Sequence, residues 1–399
     1  MKIGLTILAL AAGAIPAVAF ADTDPPPPLT AEVNGRVEHT DNALLTPETG
    51  PVKKQADQIF IVNPAIQANA TTRGVKASIE YQLNYFHYSK LSKLDRALHD
   101  LDARAALVYW ESVDLDAQQI LAPQPLNYAS PLRDPVNDIQ ASRSLAHAGL
   151  HHEFNRATRA ELGYRAQYVT YFKVHKGDAL FPDYLVHGPE ISAERDVGPR
   201  LTVGLQYSYH LETFQNVKSG ATAPPDWQAH VAALDVRAEP TDWLGLHAKA
   251  GVKAVTYTES KENRTRFIGD AGATAGGPIG HVDLRLSHDV TQDLLGNPAT
   301  ISRANLGVEY APTAPWGARV DGSYGTLQYD LVPAGIPGGV VVTTDQSFFE
   351  AGAGFSYRIS PGVLSLGASH HESLTKIETF TGDSKVVVNR AMLTLGGKF

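Results

Sequence analysis

The chain has 399 residues, a formal charge of −8 and no cysteine. A disulfide framework, thiolate chemistry and Cys-based metal sites are thereby excluded. The mild acidity is spread along the chain with no basic block, which argues against nucleic acid as a partner.

The N-terminus reads MKIGLTILALAAGAIPAVAFADTDPPPP. Lys2 supplies a positive n-region, Ile3 to Ala14 an apolar h-region, and Ala19-Phe20-Ala21 a small-x-small cleavage site. Residues 1–21 read as a signal peptide, 22–28 as a Pro-rich periplasmic spacer, and 29–399 as one β-barrel domain. Cleavage after Ala21 removes Lys2 and takes the charge from −8 to −9. No other stretch approaches the ~20 apolar residues of a spanning helix, so any membrane crossing falls to strands.

From Leu29 onward the chain alternates polar and apolar residues. In LTAEVNGRVE, Leu29, Ala31, Val33 and Val37 oppose Thr30, Glu32, Asn34, Arg36 and Glu38. In VKASIEYQLNYFHY, Val75, Ile79, Tyr81, Leu83 and Tyr85 oppose Lys76, Ser78, Glu80, Gln82 and Asn84. A period of two is that of a β-strand, and about eleven residues of it suffice for a tilted strand to cross a bilayer. The pattern recurs in TRAELGYRAQYVTYF, RLTVGLQYSYHLE, HVDLRLSHD, RANLGVEYA, GARVDGSYG and FFEAGAGFSYR. Tyr85, Tyr88, Tyr168, Tyr171, Tyr207 and Tyr209 stand toward strand ends, where aromatic girdles form.

The connections alternate in length. Short reversals fall at 71–74, 111–113, 154–157, 196–199, 239–242, 274–277, 311–315 and 360–362, rich in Gly, Pro, Asn and Asp. Between them lie longer loops, such as 122–137, 173–185, 216–226 and 332–344. Short turns at one end and long loops at the other predict an all-β transmembrane antiparallel up-and-down barrel of about 18 strands in a Gram-negative outer membrane. A barrel of that size encloses an aqueous channel, whereas an eight-stranded one is filled by side chains. Loops 122–137 and 332–344 are the candidates to narrow it. The final stretch NRAMLTLGGKF puts Ala391, Leu393, Leu395, Gly397 and Phe399 on one face. A closing amphipathic strand ending in an aromatic looks like the signature read by the barrel insertion machinery.

The polar face predicts a channel lining of both signs. Its candidates are Arg36, Glu38, Lys76, Glu80, Asp102, Arg104, Arg159, Glu161, Arg165 and Glu212 in the first half. Asp235, Arg237, Lys249, Asp283, Arg285, Arg303, Glu309, Arg319, Asp321, Glu350, Arg358 and Arg390 continue it in the second. Such a wall hydrates a lumen, pairs across strands to hold register, and offers a polar solute contacts weak enough to release it.

No Gly-x-Ser-x-Gly, His-Glu-x-x-His or P-loop pattern is present, so neither catalysis nor a cofactor is expected. His151-His152 and His370-His371 are neighbours on strands and point to opposite faces, which makes them poor chelates, and no metal site is expected.

The segment VEHTDNALL resembles the opening of the β-barrel porin 2 family, in which a first strand runs into a Thr/Tyr-x-Asp-Asn segment, here His39-Thr40-Asp41-Asn42. Asp57 beginning the second strand, Pro64 within it, the Arg73-Gly74 turn and the Tyr-rich EYQLNYFHY strand extend the resemblance. It implies an outer-membrane channel associated with exopolysaccharide export, with polysaccharide and periplasmic export proteins as partners beside the membrane lipid. It carries no functional residues onto this chain. Asp41-Asn42 itself reads as turn chemistry. Two alternatives stand beside export: a diffusion porin for small solutes, and a structural or adhesive surface barrel.

Overall fold

The structure, a computed structural model, describes residues 29–44, 53–72, 74–108, 113–125, 138–171, 183–215, 226–258, 263–292, 298–310, 315–328, 343–359, 362–377 and 384–398. The expected signal peptide and spacer, Arg73, Phe399 and most of the expected narrowing loops 122–137 and 332–344 lie outside these residues; of those loops, 122–125 instead continue β-strand structure and 343–344 begin it.

Eighteen strands follow one another along the chain. They are β1 (Thr30–Thr40), β2 (Asp57–Thr72), β3 (Val75–Tyr88), β4 (Arg96–Val108), β5 (Val113–Pro125) and β6 (Asp138–Asn155). Next come β7 (Thr158–Tyr171), β8 (Asp183–Gly198), β9 (Leu201–Gln215), β10 (Trp227–Thr241), β11 (Leu244–Tyr257) and β12 (Asn263–Gly277). The last are β13 (Gly280–Gln292), β14 (Pro298–Tyr310), β15 (Trp316–Gln328), β16 (Thr343–Ile359), β17 (Gly362–Ile377) and β18 (Ser384–Lys398). Among the described residues one 3₁₀ turn, Ser92–Leu94, lies between β3 and β4. Each strand pairs with its sequence neighbours, and β1 pairs with both β2 and β18, which closes the sheet. Closure leaves no edge whose backbone N–H and C=O groups would face hydrocarbon unbonded.

The reversals after β2, β4, β6, β8, β10, β12, β14 and β16 gather at one end, hereafter the turn end. The strand ends that flank the longer connections lie at the other, the loop end. At the turn after β2, Gly74 takes φ +89°, a conformation in which an L side chain is strained. The reversal expected at 274–277 falls instead at Pro278-Ile279. The small residues of that stretch continue the β12–β13 ladder to Gly277, opposite Gly280.

The pleat sorts the side chains as the alternation demands. Val33, Val37, Phe60, Ile66, Ile79, Leu205, Leu234, Phe267, Leu306, Val320, Leu366 and Leu395 stand exposed on the outside. Among the girdle tyrosines, Tyr85 and Tyr207 are on this face. Tyr88 is not: it shares the parity of Lys76 and Glu80, points inward and is fully buried against Ile59, Ile61 and Ala43. Tyr171 also has inward parity, with its ring 6.5 Å from that of Tyr184.

Pro64 has no N–H to give the ladder, and the β2–β3 register skips from Val62–Tyr85 to Ala65–Gln82. The Asn63 side-chain amide bridges the gap to Asn84 Oδ1 at 2.6 Å. At the seam, β1 and β18 pair from Glu32–Lys398 to Thr40–Arg390. Asp41 reaches past the end of that ladder and accepts hydrogen bonds from Asn389 N at 2.8 Å and Nδ2 at 2.6 Å. Asn42 Nδ2 donates to Val387 O at 3.2 Å. The pair expected to serve a turn therefore clasps the seam.

Candidate channel lumen

The cross-strand register decides which charged side chains share the inside. Glu80 lies opposite Asp102, Asp235 opposite Lys249, and Glu309 opposite Arg319. Carried round the sheet, the pairings put every expected lining residue on the face turned away from the exposed apolar side chains. Most have ion-pair partners on that face. Arg104 grips Asp102 with Nε at 3.0 Å and Nη2 at 2.6 Å, relieving the like charges of Glu80 and Asp102. Arg159 meets Glu194 at 2.8 Å, Arg165 meets Glu190 at 3.3 Å, and Arg285 meets Asp270 at 2.9 Å. Arg237 bonds both Asp235 and Glu194. Arg319 faces Asp321 at 3.3 Å, and Lys249 Nζ donates to Gln206 Oε1 at 2.8 Å. Most of these arginines, including Arg104, Arg285 and Arg319, are more than half exposed.

The loop end is different. Three apolar clusters pack there: Trp227, Ala229, Val255, Tyr257 and Val290; Ala43, Ile59, Ile61 and Tyr88; and Ala299, Leu327 and Phe348. Between them sit buried polar groups. Glu38 is 1% exposed and takes Arg390 at 3.2 Å and Arg36 at 3.2 Å. Lys253 Nζ donates to Val290 O at 2.6 Å and lies 5.8 Å from the centre of the Trp227 ring. Asp57, also buried, accepts N–H bonds from Gln58 at 2.7 Å, Lys90 at 3.0 Å and Leu91 at 2.9 Å. That carboxylate holds the chain between β3 and β4 against β2. Asp95, just before β4, accepts from Tyr88 N at 2.8 Å and from His87 Nδ1 at 2.7 Å. These contacts, the Tyr88 N–H first, hold its carboxyl below the ordinary carboxylate range.

Several inward groups were not among the expected lining residues. Glu190, Glu194, Asp270, Asp114, Asp116 and His147 all share the inward parity of residues that were. Alternation through β5, β6, β8 and β12 would have found them. Their convergence is not visible from any one strand. His147 Nδ1 stands 3.5 Å from Asp114 Oδ2 and 3.7 Å from Asp116 Oδ2. Its Nε2 stands 3.4 Å from Glu161 Oε1 and 3.0 Å from Glu190 Oε1. His151 bonds Asp114 through Nε2, and its Nδ1 is 3.7 Å from Glu161 Oε2. The expectation from His151-His152 holds in one respect: only His151 of that pair faces inward, opposite Glu161.

Two hollows open on the inner wall. One of about 920 Å³ is lined by Asn63, Asn84, Asp100, Arg319, Asp321 and Glu350 among others. The second, about 580 Å³, is bordered by Lys76, Arg104, Asp116, Gln118, His147 and Arg165. Among the described residues no helix is long and apolar enough to cross a membrane, and the crossing is made by strands.

No protein-family model matches the chain, so the resemblance to the β-barrel porin 2 family gains no support, and no curated protein matches it. Solved structures of similar shape include Pseudomonas aeruginosa OccK2 (OpdF) in complex with glucuronate, at 12% identity and a TM-score of 0.47, covering 93% of this chain and 98% of that one. Acinetobacter baumannii OccAB4 is similar at 10% identity and a TM-score of 0.46, with 93% and 98% covered. The FrpB iron transporter of Neisseria meningitidis is similar at 8% identity and a TM-score of 0.46, with 93% and 81% covered.

Proposed function

Taking as premise an integral outer-membrane β-barrel channel with an apolar belt outside and a charged wall inside, we propose that it is a diffusion channel for small polar solutes. The observation that carries this reading is the contrast along the inner wall. Guanidinium–carboxylate pairs line the turn end, while apolar side chains pack on the inner wall at the loop end. A wall whose charges are already paired offers a passing solute many weak contacts and no deep trap, as conduction requires. The loop end, facing the outside in barrels of this kind, then sets the size limit. Polysaccharide export rests on the family resemblance alone.

The test is swelling of liposomes that hold the refolded barrel, in sugars of increasing length, with single-channel conductance in parallel. Monosaccharides are expected to enter faster than longer oligosaccharides, and Phe348→Ala is expected to raise both the size limit and the conductance. Large openings blocked reversibly by the producing cell's exopolysaccharide would restore the export reading. An inserted barrel that passes neither ions nor sugars would make it a structural surface protein.

A further inference from the structure

We propose that the inner wall where β5, β6, β7 and β8 meet binds one divalent transition-metal cation through His147 Nε2, Glu161 and Glu190. The ligand atoms come from three adjacent strands, and all lie within 4.8 Å of one another. Nε2 stands 3.0 Å from Glu190 Oε1 and 3.4 Å from Glu161 Oε1, close to the roughly 3.4 Å between neighbouring ligand atoms of a tetrahedral ion whose bonds are about 2.0–2.2 Å long. His147 Nε2 is buried and makes no hydrogen bond, although Glu190 Oε1 is 3.0 Å away. The nitrogen thus faces the space between two carboxylates and is not aimed at either.

The other side of the ring supplies the usual complement of a metal-bound imidazole. Asp114 and Asp116 face Nδ1, so a proton held there directs the Nε2 lone pair toward the glutamates. His151 joins Asp114 to Glu161 and ties the two halves together. Four carboxylates here contact two imidazoles and one guanidinium, that of Arg165 at 3.3 Å from Glu190, while Lys76 and Arg104 border the adjoining hollow. A cation answers that imbalance.

Space is provided by a glycine pair. Gly149 and Gly163 are register partners in the middle of the group. A Cβ on Gly163 would come 2.6 Å from His147 Nε2 and 3.1 Å from Glu190 Cγ, and one on Gly149 would collide with Asp114 Oδ1. The 580 Å³ hollow reaches His147 and Asp116, so an ion has an approach from inside the barrel. One nitrogen and two carboxylates suit zinc and its neighbours better than calcium or magnesium.

The experiment is calorimetric titration of the chelator-treated, refolded full-length barrel with Zn²⁺, then with Ca²⁺. It needs no current, so its outcome is separate from that of the permeation test. One Zn²⁺ per chain is expected. Glu190→Gln, which keeps shape, should weaken binding roughly 100-fold, and Asp114→Asn about 10-fold, in the range of lost metal-site contacts. His99→Ala on the outer face should change nothing. The heat-dependent gel mobility of each variant reports whether it has folded. Absence of stoichiometric heat, Zn²⁺ binding that survives Glu190→Gln unchanged, or equal affinity for Ca²⁺ would each overturn the proposal.

Discussion

The two ends of the barrel solve the same problem, charged side chains inside a closed sheet, in opposite ways. At the turn end Arg104, Arg159, Arg237 and Arg319 lie about half in water along the wall, each touching a carboxylate on its own or a nearby strand. At the loop end, Glu38 and Arg390 are withdrawn almost wholly from solvent, with Ile59 of an apolar cluster directly across the ladder from Glu38. The difference teaches that identical chemistry carries different free energy. An exposed pair is worth about 0–1 kcal/mol. Removing one partner of a buried pair leaves an uncompensated charge and costs about 3–5 kcal/mol.

The sharpest way to break this comparison is Glu38→Ala. It should destabilise the refolded barrel by about 3–5 kcal/mol in urea titration, because Arg390 would remain buried without its partner. Arg104→Ala at the turn end should move the same midpoint by no more than ~1 kcal/mol. Its effect should appear in permeation, as a shift toward cations once Asp102 and Glu80 lose their counter-charge. Equal destabilisation by the two variants would erase the distinction drawn here. The smallest effect concerns Asp95 at the loop end. Its carboxyl titrates below the ordinary value of about 3.9, so its contribution is present above that pH and is lost only as pH falls through the lowered value. Protection of the Tyr88 amide against hydrogen exchange should therefore persist to pH 4 and fade below it. In Asp95→Asn that step should vanish.

Much of this architecture was legible in residues such as Val75 to Tyr88, because a lipid-facing strand must be apolar at every second position. Loop lengths gave the ends, and parity gave the inward face. What parity cannot give is depth. Lys76 and Tyr88 share a face, yet one is exposed and the other sealed, because burial depends on what packs over the strand, here Ile59, Ile61 and Ala43 against Tyr88. Nor does parity reveal convergence: Asp114, His147, Glu161 and Glu190 meet only through the register of three successive hairpins. Asp41 looked like an ordinary turn residue because its partner, Asn389, stands 348 positions away.

That distance has a consequence for how the molecule comes into being. Every other ladder joins strands that are neighbours in the chain and can form while they are a short loop apart. The seam alone requires the first strand to find the last, and loop closure over such a span is the slow kind of contact. Until then the sheet has two open edges, and β1 and β18 are the exposed templates. The clasp made by Asp41, Asn42 and Asn389 thus acts as a latch in time as well as in space. It belongs to the last step of assembly, and its loss should delay ring closure more than it weakens the finished ring.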